Sequence, residues 1–315
     1  MTPRRSWAWV AALLLTATAV PASAGTTSTA FASNDPGVRA TAMGGAYTGL
    51  GGDPGALYWN PATLFFQTHR SIEASYSDLY GLGLAKRTFF TYGTKHVIDE
   101  VHYEGDQVVV RENRTSGMAY ALGLESLFLD VDENGYSELS LGGGVAWGYG
   151  DRFAVGLALR GLFASSDIED VSGTGYNLGL GVAWKYSNRS RLGLDVPHLF
   201  SRVFWKFDST ERLPIDASLG WSRIMFKNVT VSADLEIREG TSGLYRAAAG
   251  GEWWVFPDRL AVRGGFRHVK GGVEDIDKPT FGAAMRLSRM RFDYAFRFEP
   301  DVLGDTHRFG LTVDF

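Results

Sequence analysis

The chain has 315 residues, 31 Lys and Arg against 35 Asp and Glu, and no cysteine. That balance argues against nucleic acid as a partner, and the lack of Cys excludes a disulfide framework and thiolate chemistry. Glycine is abundant (39 residues), aromatics make up 13%, and the mean hydropathy is −0.09.

Arg4 and Arg5 precede an apolar run from Trp7 to Val20, which Pro21 breaks before Ala22-Ser23-Ala24. This is the layout of a secretory signal peptide, and it predicts cleavage after Ala24. The run is too short for a membrane-spanning helix, which needs ~20 residues. No later segment is apolar enough to span as a helix. Removing residues 1–24 leaves 29 basic against 35 acidic residues, a net charge of −6.

Residues 25–70 are rich in Gly and small side chains, with no alternation long enough to span a bilayer. A stretch this long with so many apolar positions is poorly suited to disorder. We read it as a hatch folded into a lumen.

From residue 71 the pattern changes. Val229, Val231, Ala233, Leu235 and Ile237 alternate with Thr230, Ser232, Asp234, Glu236 and Arg238. Such period-two patterning predicts strands, since successive side chains face opposite sides of a sheet. Strands are predicted near 71–80, 84–92, 115–128, 136–149, 152–164, 174–187, 190–196, 213–224, 227–238, 243–255, 258–268, 279–288, 290–299 and 306–315. That is about 14, an even number, as a bacterial barrel requires. The fold class is therefore all-β: a transmembrane antiparallel barrel over 71–315 with an N-terminal luminal hatch. A secreted β-sandwich is the competing architecture.

The connections decide between them. From the fourth strand they alternate short (150–151, 187–190, 225–228, 256–259, 288–290) and long (129–135, 164–173, 196–213, 269–278, 299–305). Outer-membrane barrels have short periplasmic turns and longer outside loops, whereas a sandwich has no reason for this parity. Both termini then lie in the periplasm. Trp147, Trp184 and Trp253 sit near short turns; Tyr136, Tyr176, Tyr245 and Phe281 sit at the opposite strand ends. These levels predict two aromatic girdles at the lipid interfaces.

Residues 93–114 interrupt the parity with a long connection where a short turn is due. They read as a polar hairpin around Glu104-Gly105-Asp106; if it spanned the membrane the count would be 16. His96, Glu100 and His102 would share one face there, but nothing else in the sequence points to a metal. The loop 196–213 carries Phe200, Val203, Phe204, Trp205 and Phe207. Aromatics this dense suit the lipid interface, a hydrophobic ligand, a protein partner or packing over the barrel top.

The lumen has two unlike walls. Strands at 115–187 point mainly Ala and Gly inward, among them Ala119, Gly144 and Gly156. Strands at 227–315 point Asp234, Glu236, Arg263, Arg267, Arg291, Asp293, Arg297 and Arg308 inward. The hatch is expected to pack on the small-residue wall, and the charges to pair with one another or to line a wet passage. The final strand presents Phe309, Leu311, Val313 and Phe315 to lipid. A terminal aromatic on such a strand resembles the signal read by the barrel-assembly machinery.

Gly44-Gly45-Ala46-Tyr47, Gly52-Asp53 and Trp59-Asn60-Pro61-Ala62-Thr63-Leu64 resemble the N-terminal signature of the PorV/PorQ family and the related FadL-type hatch. Leu213-Pro214, Asp293-Tyr294-Ala295 and Leu303-Gly304-Asp305-Thr306-His307-Arg308 resemble later PorV/PorQ motifs. The resemblance implies a hatch-bearing barrel of the outer membrane of a Gram-negative-type bacterium, in which Asn60, Pro61 and Ala62 take part in gating. PorV-like function would be export or surface assembly of proteins, with exported proteins as partners. FadL-like function would be uptake of hydrophobic molecules or fatty acids. No catalytic constellation is legible and no cofactor is expected; outer-membrane lipids are the expected surroundings.

Overall fold

The computed structural model describes residues 30–31, 35–97, 100–104, 107–111, 117–131, 134–167, 171–270, 275–299 and 304–315. The signal peptide and Leu303 lie outside them. Among the described residues, the segment before the barrel carries two short helices, α1 (Val38–Ala42) and α2 (Ala56–Trp59), and a 3-10 helix (Pro61–Phe66). Strands follow: β1 (Ser71–Leu79), β2 (Ala85–Val97), β3 (Glu100–Glu104), β4 (Gln107–Arg111), β5 (Gly117–Val131), β6 (Asn134–Tyr149), β7 (Phe153–Ser166), β8 (Gly173–Ser187) and β9 (Ser190–Trp205). After the short β10 (Ser209–Glu211) come β11 (Asp216–Met225), β12 (Val229–Arg238), β13 (Arg246–Phe256), β14 (Leu260–Val269), β15 (Ile276–Leu287), β16 (Met290–Arg297) and β17 (Thr306–Asp314).

Fourteen of these strands form a closed antiparallel barrel, each paired with its neighbours in sequence order, with β17 against β1 closing the ring. Closure removes sheet edges, and this explains how an apolar terminal strand is tolerated. Phe309 and Phe315 are exposed on the outer face while Arg308 and Thr312 are buried on the inner one. Leu122, Leu141, Leu159, Leu219, Leu235 and Phe266 are exposed around the outside. In water such a surface would be unstable, so it calls for lipid.

The 93–114 hairpin adds no barrel strand. Among the described residues β3 and β4 pair only with each other, and β2 pairs directly with β5 along its whole length, from Ala85 opposite Leu129 to Val97 opposite Gly117. His96 faces outward against Tyr120, its Nε2 at 2.8 Å from the phenol oxygen. The side chains of Glu100 and His102 lie outside the described set.

Three expectations need correction. The 129–135 segment is mostly ladder, with pairing out to Val131 and Asn134. The 196–213 segment is largely strand too, since β9 continues to Trp205 and carries β10 alongside. β5 to β9 run 14 to 16 residues, or about 50 Å of strand at the usual rise, and so stand above the lipid layer. Extra residues at 197–199, beginning with Pro197, shift the β8–β9 register, as a bulge does where Pro cannot join the ladder. Finally, Tyr136 and Tyr245 turn inward, held by Glu138 and Arg238, and only Tyr176 and Phe281 of that group face out.

Candidate functional site: a plugged lumen

Residues 35–67 run inside the barrel. Their backbone approaches the wall so closely that the wall must be glycine. A Cβ on Gly156 would sit 2.3 Å from the Ala62 nitrogen, one on Gly181 2.1 Å from Asn60 Oδ1, and one on Gly144 2.5 Å from Leu57 Cδ1. These contacts match the expected packing on the small-residue wall, but only for the second half of the segment. The first half lies on the charged side. Cβ atoms on Gly250 and Gly265 would fall 2.3 Å from the Met43 oxygen and 2.2 Å from the Gly44 nitrogen. The charged strands therefore carry glycines at the plug's height, and the plug touches both walls.

Gly44 and Gly45 sit at φ of 68° and 79°, a region that disfavours side chains. Their turn brings the Gly44 carbonyl to Arg267, whose Nε donates at 2.9 Å. Asn60 is fully buried. Its Nδ2 donates to the carbonyls of Thr48 (2.9 Å) and Val182 (3.1 Å), and its Oδ1 accepts from the Ala62 N–H. Pro61 then starts the 3-10 helix, where a missing N–H costs nothing. Asn60 thus ties two parts of the plug to β8. A larger or charged residue here would lose bonds that no water can replace.

All eight residues of the expected charged wall face the lumen and are buried. Most pair with one another or with the plug. The Arg263 Nε donates to Glu252 at 2.7 Å and its Nη1 to Asp293 at 2.6 Å; Arg291 donates to the other Asp293 oxygen at 2.8 Å. Glu252 is shared with the plug: Arg39 grips it bidentately at 2.8 and 3.0 Å. Asp234 accepts from the Tyr47 and Thr48 amides, each at 2.8 Å. Arg267 and Arg297 donate to the Asp35 carboxylate, and Arg308 to its backbone carbonyl. Burial alone would raise the Asp35 carboxyl, but Arg267, Arg297 and Arg308 hold it well below the usual range. Two charges at the start of the plug, Asp35 and Arg39, are the residues that sequence reading missed. Nothing in a single sequence says which wall residue each would meet.

Phe31 occupies an apolar socket on the tall wall, among Leu162, Ala164, Val203 and Leu213, and its N–H donates to Glu138 at 3.2 Å. Its φ of 59° is unfavourable for a non-glycine residue.

The plug separates two cavities. One, of about 570 Å³, lies between the plug and the loop-side rim; Tyr58 and Trp59 belong to its floor, and Leu79, Leu129, Val269 and Ile276 to its upper part. The other, of about 270 Å³, lies toward the short turns and is lined by Arg39, Asp53, Gln67, Arg286 and Asp314. Among the described residues no group of His, Asp and Glu is arranged to hold a metal ion.

No protein-family model matches the sequence, and no curated protein is significantly similar to it. Solved structures do match in shape. The Ralstonia pickettii toluene transporter TbuX aligns with a TM-score of 0.56 at 13% identity, over 89% of this chain and 98% of that one. A Pseudomonas aeruginosa FadL homologue aligns at 0.57 and 13%, over 90% and 99%. The Pseudomonas putida toluene transporter TodX aligns at 0.56 and 11%, over 90% and 97%. The chain shares the fold of these FadL-type barrels. At such identities the likeness is one of fold. It agrees with the FadL side of the expected resemblance; no PorV/PorQ protein is among the structural matches described.

Proposed function

We propose that the chain is a plugged outer-membrane channel for uptake of small organic molecules of low polarity, with both termini in the periplasm. The observation that carries this reading is a lumen filled by the chain's own N-terminal segment, in a fold shared over about nine-tenths of the chain with toluene transporters. The plug leaves a cavity on each side, so passage requires the plug to move. Asn60, Pro61 and Ala62 then act as the fixed end of the moving segment, and the Asp35 and Arg39 contacts as latches. The apolar outer belt is matched to lipid, and the Phe309–Phe315 face to recognition by the barrel-assembly machinery. Export of proteins, the role that resemblance to PorV/PorQ implied, finds no support among these fold neighbours. The test is uptake of labelled toluene at low concentration by cells carrying the chain in their outer membrane. Uptake faster than in empty-vector cells is expected. Equal uptake with a folded, heat-modifiable barrel present would overturn the reading.

A further inference from the structure

The two rims of the barrel use their cations differently. On the loop side acids hold Arg212, Arg238 and Lys278, through Glu239, Asp216 and Glu299. On the other side every short turn carries an exposed Arg or Lys: Arg152, Arg189, Lys227, Arg259 and Arg289. Some of these have an acid close by. Arg152 is 3.8 Å from Asp151, Arg259 follows Asp258, and the Arg289 carbonyl accepts from the Asp314 amide at 2.8 Å. Arg189, Lys227 and the outward-facing Arg223 differ: among the described residues none of the three has an ion-pair partner.

Arg189 and Arg223 stand together. Arg223 on β11 is opposite Ser190 of β9 in the ladder, and the Arg189 carbonyl accepts from the Ile224 amide at 2.8 Å. Residues opposed in this way have Cα atoms about 5 Å apart, less than the length of an arginine side chain, and guanidinium is the group best suited to phosphate. Lys227 adds a third charge from the next turn. The outer face beside them is laid out for a lipid. Trp184 and Tyr186 are exposed with ring centres 5.8 Å apart, and the Trp221 Nε1 donates to the Tyr186 hydroxyl at 2.9 Å. Such rings mark the headgroup level of a bilayer. Deeper in the bilayer the same outward face continues as Leu192 and Leu194 of β9 and Leu219 of β11, with Leu219 opposite Leu194. A cation pair at the head of an apolar strip suits a phosphate that carries acyl chains better than a soluble one.

We propose that Arg189 and Arg223 form a binding site for an anionic glycerophospholipid of the periplasmic leaflet, its phosphate held by both guanidiniums and its acyl chains laid along Leu194 and Leu219. A zwitterionic lipid brings its own ammonium beside the phosphate and gains less from three unpaired cations. Near a membrane surface each basic residue gives about a fivefold preference for anionic lipid. The site shares with the uptake reading only the placement of the short turns in the periplasm.

Phosphatidylglycerol and phosphatidylethanolamine are the probes, read by native mass spectrometry of the purified barrel released from detergent with both lipids at equal concentration. Phosphatidylglycerol should be retained over phosphatidylethanolamine by about fivefold or more. Arg189→Gln and Arg223→Gln should each lower its retention about fivefold, whereas Arg259→Gln and Arg289→Gln, which remove the same charge elsewhere on the rim, should lower it less than about twofold. Glycerol phosphate should not displace the lipid. Equal retention of the two lipids, an equal loss in the Arg259 and Arg289 variants, or displacement by glycerol phosphate at the lipid's own concentration would overturn the site and leave the uptake reading intact. The placement of the turns is read separately. Lys227→Cys should resist, in intact cells, a maleimide too large to cross the outer membrane; labelling from outside would overturn that placement and with it the periplasmic assignment of the site.

Discussion

Glu252→Gln is the perturbation most informative about how the plug is held. The Glu252 carboxylate sits between Arg39 of the plug and Arg263 of the wall, with three contacts at 2.7 to 3.0 Å. Removing its charge leaves two buried guanidiniums facing a neutral amide. Breaking a buried pair costs about 3–5 kcal/mol, but each arginine keeps a second acid: Arg263 has Asp293 at 2.6 Å, and Arg39 has Asp53 at 3.4 Å. The expected loss is therefore near the lower figure, about 3 kcal/mol, or roughly a 150-fold rise in the population with the plug released. Hydrogen exchange at the Tyr47 and Thr48 amides reads this directly, because both donate to Asp234 and are protected only while the plug is docked. Exchange over residues 38–50 should accelerate by about that factor while the barrel ladder stays protected. A double-mutant cycle with Arg39→Met should assign most of the effect to the pair. Wild-type protection in Glu252→Gln would refute the idea that these charges hold the plug.

Three further outcomes follow from the same geometry. Asp35 is an ion-paired carboxylate with a depressed folded pKa, so its latch is fully present above the ordinary carboxylate range and is lost as pH falls through the lower folded value. The Asp35 share of plug protection should thus be lost only in strong acid, whereas Asp35→Asn should be weaker throughout and lack that acid step, as measured by exchange against pH. Gly156→Leu should expel the 3-10 helix from its seat, because even a Cβ would lie 2.3 Å from the Ala62 nitrogen; higher conductance in planar bilayers is expected, and an unchanged closed level would count against the plug's placement. Deleting Phe315 should lower the amount of heat-modifiable barrel in the outer membrane, with wild-type levels as the opposing result.

Much of the barrel was legible because strand alternation is local. The outward Leu235 and inward Asp234 are neighbours, so one short window fixes both faces. Loop parity was legible for the same reason. The height of the wall was not: residues 129–131 and 199–205 read as loop because they leave the lipid layer, yet their backbone keeps pairing in the ladder. Pro197 was the signal for the irregularity in β9. Tyr136 and Tyr245 show that an aromatic near a strand end is ambiguous until its face is known. For the lumen, the charged wall could be seen on its own, and the plug on its own. Their pairing could not, since Arg39 and Glu252 are 213 residues apart in the chain.

The central claim is that the luminal segment must move for molecules to pass. A Cβ on Gly310 of β17 would lie 3.4 Å from Val38 Cβ of α1, close to disulfide spacing, and the chain has no other cysteine to compete. The Val38→Cys, Gly310→Cys double variant therefore pins the plug to the wall when oxidised. Flux of toluene into proteoliposomes should stop on oxidation and return on reduction. Equal flux in both states, with the crosslink shown to have formed, would contradict the account.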